Sequence, residues 1–591
     1  MKYIFLFIII FQVYLFSQTI PPKREFRGAW ISTIGDLDWP SSKNLTTAEQ
    51  KDQLVSILDS LKAIGVNAVL FQVRSECDAM YNSPYEPWSY WLTGSQGTPP
   101  KPFYDPLEFA VKETHKRGME LDAWFNPYRA VRTNNAYKQS PKHVSVRHPQ
   151  WVVKYGNSKI LNPGLPQVRN YVVSVIMDVV RRYNIDGVNL DDYFYPYPVG
   201  NQKFHDDEAF KKYNYGFTNK NDWRRNNVNL LIKMLHDSIK VAKPYLKFGI
   251  SPFGIWKNDV PAGIYGFSSY NEIYSDGIYW LKHRLIDYIS PQLYWQFGGR
   301  QDYAKLLKWW SSQTNGRHLY PSLAAYKINK FSSAELLNQI RASRNNPNVE
   351  GNILFRTNDG ILNNPKSFAD SLKNDVYHYQ ALLPVMTWKD SIPPNPPLNL
   401  RYKNIPYVNK IELDWDAPSR AIDGDTAFRY VVYKFPNSRF KQSDLTSTHI
   451  IKVEEINNTR VPILPDKNEY FTVTALDRLS NESTISNVIH VLFLPFLSAN
   501  YLNPAQLGFD HDFTNPFDNI TNITYVLHKN SYLVIKVFDV YGREVKKAIK
   551  TYSFAGNNSY SLSTDSLPSG TYFIELFSSD NTSYSKMIVI N

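Results

Sequence analysis

From Arg24 to about Asp375, short apolar runs alternate with stretches whose apolar residues recur every three to four positions. The runs are RGAWISTI (27–34), VNAVLFQV (66–73), MELDAWF (119–125) and DGVNLDD (186–192), then KFGISPF (247–253), DYISPQLYW (287–295), HLYPSLAAY (318–326) and EGNILFR (350–356). They lack strict polar alternation, which is the pattern of parallel strands covered on both faces. Between them, Gln50 to Ile64 aligns Leu54, Ile57, Leu58 and Leu61 on one helical face. Val168 to Tyr183, Val228 to Val241 and Ala334 to Arg344 repeat that spacing. Eight such alternations predict an α/β unit, a (β/α)8 TIM-type barrel over residues 24–385. The Gly-rich phosphate turn of a nucleotide-binding sheet is missing.

The pattern changes near Ser391, where IPPNPPLNL reads as a stiff, extended linker. Beyond it only strand-type runs occur. KIELDWD, FRYVVYKF, HIIKVEE and EYFTVTALD predict a β-sandwich over 392–494, and YLVIKVFDVYGREV, YSLSTDSLPSGTYFIELF and SKMIVIN predict another over 500–591. The expected architecture is therefore a barrel followed by two all-β, immunoglobulin-like sandwich domains. A chain of 591 residues requires such a division, because single cores stop growing at roughly 250–300 residues.

At the other end, Met1-Lys2-Tyr3 precedes IFLFIIIFQVYLF, which gives way to Ser17-Gln18. A basic start, an apolar run and a polar boundary predict a signal peptide over residues 1–18. The run is shorter than the ~20 residues a bilayer-spanning helix needs, and no later segment is long enough. The expected mature chain is secreted or surface-held, without a transmembrane segment.

Composition adds the class of partner. Aromatics make up 15% of the chain, with 14 Trp and 41 Tyr, and their flat faces suit the C–H faces of sugar rings. The formal charge of +12 favours an acidic partner. Lys and Arg are dispersed and form no reader motif, which argues against nucleic acid. Cys77 is the only cysteine, so no intramolecular disulfide can form. His115 and His148 lack partners at ligand spacing, and no His/Cys cluster points to a metal, so no cofactor is expected.

In a barrel of this type, chemistry gathers at the C-terminal strand ends. The second strand ends in Gln72, Arg74 and Glu76, and the third in Asp122, Trp124, Asn126 and Tyr128. The fourth supplies Asn189, Asp191, Asp192 and Tyr193, the fifth Ser251 and Trp256, the sixth Gln292, Tyr294 and Trp295, and the seventh Tyr326. Strand parity turns Val188 and Leu190 toward the helices, and Asn189 and Asp191 inward. It also places Gln72, Arg74 and Glu76 on one side, where a carboxylate flanked by arginine stays ionised.

Glycoside hydrolysis ordinarily uses two carboxyl groups, one protonating the leaving oxygen and one serving as nucleophile or base. Asp191 is the candidate for the ionised partner. Asp192 is a candidate acid or a ligand for sugar hydroxyls, and Glu76 is the other candidate acid. Gln72, Arg74, Trp124, Asn126, Tyr128, Asn189, Tyr193, Gln292, Tyr294 and Trp295 are the candidate substrate-binding residues. Plainer roles stand beside these: adjacent acids at a strand end also cap helices or bind a structural cation. Glu76 reads equally as a loop residue, Asp122 as a deep structural acid, and each Trp as packing.

REFRGAWIST, FQVRSECDAMY with SPYEPWSYWLTG, WFNPYRA, DGVNLDDYFYP, GISPFGIW and DYISPQLYW follow one another in this order. The set resembles the glycosyl-hydrolase-like 10 family, formerly a domain of unknown function, across about residues 24–375. That resemblance implies hydrolysis of a glycan, with bacterial cell-wall peptidoglycan strands a leading substrate. The distant relationship to amylase-type barrels also implies a nucleophile at the end of the fourth strand, which Asp191 matches. Those enzymes place the acid at the end of the fifth strand, where this chain has SPFGIW and no carboxylate.

Residues 392–494, with Trp415 and Tyr470, resemble a fibronectin type III module. TNPFDNITNITYVL, VFDVYGREV, LPSGTYFIEL and KMIVIN resemble a type IX secretion C-terminal sorting domain, which implies the type IX secretion machinery as a partner. The functional expectation is an exported glycosidase. The alternative is a carbohydrate-binding protein without catalysis at the cell surface.

Overall fold

A computed structural model describes residues 21–590, other than 406–409, 456–459, 464–468, 492–506, 510–519, 528–530, 541–542, 554–555, 564–566 and 579–582. The predicted signal peptide, 1–18, lies outside the described residues.

Nine strand segments form one all-parallel sheet: Phe26–Ile31, Ala68–Arg74, Glu120–Phe125, Gly187–Leu190, Lys247–Ile250, Tyr288–Ile289, His318–Leu319, Ser322–Ala324 and Gly351–Phe355. The two ends of the sheet are the two halves of the predicted seventh strand. His318 and Leu319 pair with Tyr288 and Ile289 of the sixth strand, whereas Ser322 to Ala324 pair with Ile353 to Phe355 of the eighth. The sheet thereby closes into an eight-stranded barrel. The break falls at Tyr320-Pro321, and the fifth and sixth strands also stop one residue before Ser251-Pro252 and Ser290-Pro291 give out. Proline has no N–H to give to a ladder, so each X-Pro step shortens a run that reads as longer in the sequence.

The helices pack outside the strands, as the periodicity predicts, but three of the four predicted ones start earlier. Thr47–Ala63 begins at a capping box in which Thr46 and Glu49 satisfy each other's backbone N–H groups. Lys220–Ala242 begins two turns before the apolar pattern does, because the Asn219 side chain accepts from the N–H groups of Asn221 and Asp222. A three-stranded antiparallel sheet, formed by Arg129–Val131, Val152–Tyr155 and Ser158–Leu161, interrupts the alternation after the third strand. Its hairpin turns at Gly156-Asn157, a short-range signal present in the sequence.

Inside the barrel, two glycines make room for two large polar side chains. A Cβ on Gly187 would lie 2.2 Å from Asp122 Oδ1, and one on Gly249 would lie 2.1 Å from the Tyr288 ring. Tyr288 donates to Asp122 Oδ2 at 2.6 Å and accepts from Asn189 Nδ2 at 3.1 Å. Burial pushes Asp122 up to about 7, against the pull of Lys247. This polar layer forms the ground beneath the barrel mouth.

The remaining described chain is all β. A three-stranded sheet (Leu398–Ile405, Lys410–Asp416, Arg460–Ile463) and a four-stranded sheet (Arg429–Phe435, Ile450–Glu455, Glu469–Leu476, Ile489–Val491) share a core around Leu413, Trp415, Tyr430 and Val473. A second three-plus-four pair of sheets spans Leu507–Phe509 to Ser583–Ile590.

The first of these units is seated against the N-terminal end of the barrel. Arg429, buried, donates to Glu120 Oε1 and the Met119 carbonyl at 3.4 Å each and lies 3.7 Å from Asp186 Oδ1. Glu120 also pairs with Lys247, and Asp186 with His115 at 2.7 Å. Burial alone would raise Asp186, but His115 and Arg429 hold it well below the usual carboxylate range. At Gly118, whose φ is +64°, a Cβ would lie 2.4 Å from the Val453 carbonyl oxygen, so the two units touch backbone to backbone.

Candidate active site

The C-terminal ends of the strands open into a cleft of about 760 Å³, counted out to its mouth. Trp30 and Ser32 reach it from the first strand, Gln72 from the second, Trp124 from the third, Asp191 and Asp192 from the fourth. Ser251, Gln292, Tyr294 and Phe355 come from the fifth, sixth and eighth strands. Loop residues Ile34, Leu37, Arg129, Arg132, Tyr193 and Tyr197 complete the wall. Such a mixture, apolar faces with a few convergent polar groups, is the usual make-up of a small-molecule or sugar site.

Asp191 is held from three sides. Asn126 Nδ2 and Trp124 Nε1 donate to its Oδ2 at 2.7 and 3.2 Å, and the Asp192 N–H donates to its Oδ1 at 2.6 Å. Asn126 is itself oriented, since its Oδ1 accepts from Gln72 Nε2 at 2.7 Å and from Arg129 Nη2 at 3.0 Å. Gln72 is fixed in turn by the Thr33 and Ile34 N–H groups, which donate to its Oε1 at 2.9 and 3.1 Å. One chain of side-chain amides thus runs across three strand ends and aims the Asp191 carboxylate.

Asp192 differs sharply from its neighbour. It is 1% exposed, and the Tyr197 hydroxyl donates to its Oδ2. Burial first, and then the adjacent Asp191 carboxylate, push Asp192 well above the usual carboxylate range, with the Tyr197 hydrogen bond opposing. Two acids this close cannot both ionise cheaply, so Asp192 gives up its proton less readily than an ordinary carboxyl.

The other candidates separate into three groups. Gln72, Trp124, Tyr193, Gln292 and Tyr294 line the cleft with Asp191 and Asp192. Trp124 meets Trp30 edge-on at 4.7 Å, and Tyr294 stacks parallel to Phe355 at 5.8 Å. Asn126 is buried and acts through Asp191.

The remaining candidates do not line the cleft. Asn189 lies beneath it, tied to Tyr288 and accepting from Ser251 Oγ at 3.3 Å. Tyr128 is fully buried in the main core. Trp295 packs edge-on against Phe253 at 5.5 Å. Arg74 is fully buried and forms a fork with Glu86, Nη2 to Oε1 at 2.7 Å and Nε to Oε2 at 2.8 Å.

Glu76 is not the acid beside Arg74, because Arg74 is engaged by Glu86. Its carboxylate accepts from Trp91 Nε1 at 2.9 Å, from the Tyr137 hydroxyl at 3.2 Å and from the Arg132 N–H. Buried to 1% exposure, it anchors the loop after the third strand. The second carboxyl of the cleft is therefore Asp192.

Sequence reasoning missed Arg129, Arg132 and Tyr197. Arg129 lies within WFNPYRA, Arg132 follows it by two residues, and Tyr197 ends the run DDYFYPY, so each was in or beside a motif already in view.

Residues 25–336 match the family described as Glycosyl hydrolase-like 10, and residues 513–591 match the secretion system C-terminal sorting domain. Over 490 residues the chain is 40% identical to the glycosyl hydrolase YngK of Bacillus subtilis (strain 168), covering 80% of this chain and 94% of that protein. It is 37% identical over 385 residues to the glycosyl hydrolase DigH of Escherichia coli (strain K12), covering 59% of this chain and 87% of that protein. Among solved structures, the PgaB (BpsB) glycoside hydrolase domain from Bordetella bronchiseptica aligns over 60% of this chain and 99% of that chain, with 14% identity and a TM-score of 0.41.

Proposed function

The chain belongs to the glycosyl hydrolase-like 10 family, and from that premise we propose that it is an exported glycosidase that cleaves a polysaccharide, with cell-wall glycan strands the first substrate to test. The observation that carries this reading is the pair on the cleft floor: Asp191 held by Asn126 and Trp124, and Asp192 pushed above the usual carboxylate range by burial and by Asp191. Environments that drive two carboxyls apart in acidity assign them opposite roles. Asp192 donates its proton to the leaving glycosidic oxygen. Asp191 supports the developing positive charge on the sugar as nucleophile or base. Trp30, Trp124, Tyr193 and Tyr294 make the cleft wall aromatic, a surface suited to sugar rings.

The raised Asp192 gives the reading a pH signature. Activity depends on the protonated form, so it is present while Asp192 holds its proton and falls as pH rises through its elevated range. The test incubates the full-length protein and an Asp192→Asn variant with cell-wall glycans and a polysaccharide panel across pH. Release of reducing ends by the native protein, with the alkaline fall absent and the rate about 10²–10⁴-fold lower in the variant, is the expected result.

One observation favours the alternative of carbohydrate binding without turnover. Among the described residues lining the cleft, Asp191 and Asp192 are the only carboxyls, and they are neighbours in the chain rather than facing one another. Retention of glycans by both proteins with no reducing ends from either would sink the hydrolase.

The C-terminal sorting domain indicates secretion or cell-surface localisation, with the type IX machinery as the partner that reads it. We read residues 1–18 as the signal peptide that precedes that step, and 392–494 as a fibronectin type III-like module. Deleting 500–591 is expected to leave the protein in the periplasm. Fractionation and immunoblotting check this, and undiminished export would contradict it.

A further inference from the structure

We propose that Asp38 is a positioning residue for the cleft, acting through Gln72 and Asn126 to hold Asp191 in its working direction. The proposal rests on the glycosidase reading of that cleft and adds a residue outside its wall. The amide chain that aims Asp191 ends at Gln72, whose Oε1 accepts from the Thr33 and Ile34 N–H groups and from Ser32 Oγ at 3.2 Å. Three consecutive residues past the first strand therefore fix Gln72, and they need fixing themselves.

Asp38, at 0% exposure, supplies this. Its Oδ2 accepts from the Ser32 N–H at 2.9 Å and its Oδ1 from the Asn358 N–H at 2.7 Å. The Asp38 and Trp39 N–H groups return to the Ser32 carbonyl at 3.1 Å each, so the loop closes on itself. Asn358 Nδ2 donates to the Asp38 carbonyl at 2.8 Å, which ties the loop to the segment after the eighth strand. One carboxylate thus gathers the ends of the first and eighth strands, from which Trp30, Ser32 and Phe355 line the cleft.

The ionised form accepts at both oxygens. A neutral carboxyl carries a hydrogen on one of them and sets it against an N–H donor. Arg356, after the eighth strand, favours ionisation and is paired with Asp359. On the same loop Lys43 lies 4.0 Å from Asp36, and Arg132 passes beside Gly35 from the loop after the third strand. The helix Thr47–Ala63 and the second strand meet this loop through Gln50, Phe71 and Gln72, all uncharged. Burial outweighs Arg356 and the backbone donors and pushes Asp38 from 3.8 up to about 6. The folded state then holds this proton more tightly than the unfolded one, so ionising Asp38 costs stability as pH rises from about 4 to 6. The same ionisation completes the brace. Stability and activity therefore run in opposite directions over one pH window, which an acid serving the fold alone does not produce.

The test uses full-length protein, cell-wall glycans and a range from about pH 4 to 8. Reducing-end release is measured, and NMR follows the Trp124 indole N–H, which donates to Asp191 and reports its placement without turnover. Native kcat should rise, and the indole signal shift, with a midpoint of about 6. Asp38→Asn, uncharged at every pH, should lower kcat at neutral pH by about 10–10²-fold with less change in KM, and remove both midpoints. Arg356→Gln leaves Asp38 and its bonds in place and should move both midpoints upward. Thr357→Val removes an uncharged tie between the same strand ends, Thr357 Oγ1 to the Trp30 carbonyl at 2.6 Å, and should lose stability while keeping both midpoints. Midpoints that persist in Asp38→Asn, stay fixed in Arg356→Gln or vanish in Thr357→Val overturn the role of Asp38. Release by the native protein without a midpoint near 6 retires Asp38 and keeps hydrolysis. No release, with an indole midpoint that moves as stated, does the reverse.

Discussion

Asp191→Asn should lower glycan hydrolysis by about 10³-fold or more while leaving the fold intact. The replacement keeps the size of the side chain and one oxygen. That oxygen can still accept from Asn126 and Trp124, which now donate to Asp191 Oδ2 at 2.7 and 3.2 Å. The new amide then faces the Asp192 N–H, a donor against a donor, at a cost of about 1–3 kcal/mol. What disappears is the negative charge. Two consequences follow, and they are separable. The sugar cation loses its stabilising partner, so the rate collapses. Asp192 also loses the neighbour that raises it, so its acidity moves back toward the ordinary range, opposed only by burial. Reducing-end assays measure the first, and carboxyl titration followed by NMR or infrared measures the second. Retention of a tenth of the native rate would remove Asp191 from the reaction.

Arg74→Ala is expected to destabilise the barrel by about 3–5 kcal/mol, because it leaves Glu86 as a buried charge without its counterion. Arg74 and Glu86 side chains are both at 0% exposure. Arg74 also donates through Nη1 to the carbonyls of Asn126 and Pro127 at 2.5 and 2.9 Å, so it fastens the end of the second strand to the loop that carries Asn126. Losing it should loosen the amide chain that aims Asp191, and activity should fall along with stability. Replacing both partners together, Arg74→Met with Glu86→Leu, should cost far less than the single change. Denaturant unfolding of the three proteins checks this, and a single-variant loss under about 1 kcal/mol would contradict a buried pair.

The same two residues show where sequence reasoning reaches its limit. The alternation of apolar runs with helical spacing sufficed for the barrel, because strands buried on both faces leave a pattern that nothing else in the chain imitates. Parity on the fourth strand correctly turned Asn189 and Asp191 inward. Depth is not written in parity, however: Asn189 proves to be one layer lower, in the hydrogen-bonded floor with Tyr288 and Asp122.

On the second strand parity itself fails. Its register against the third strand shifts between Gln72 and Arg74, so counting by twos from Gln72 through Arg74 to Glu76 crosses a bulge. Arg74 then meets Glu86, twelve residues on, and Glu76 turns to Trp91 and Arg132. Neither partner has a spacing that local periodicity can detect. The prolines at 252, 291 and 321 are visible in the sequence, but their effect on strand length depends on which N–H groups the ladder needs.

Arg429 has a practical meaning for anyone who wishes to move the barrel into another protein. The proline-rich stretch near 391–397 looks like the natural place to cut. A fragment ending there would nonetheless surrender the guanidinium that meets Glu120 and Asp186, and expose the seam where Val453 presses on Gly118. Leu382, which donates to Lys23 and accepts from Glu25, would also lose its cover from the neighbouring sheet. The transferable cassette therefore runs from Pro21 through Val491, barrel and adjoining sandwich together, and the shorter piece is better suited to screening for suppressors than to assay.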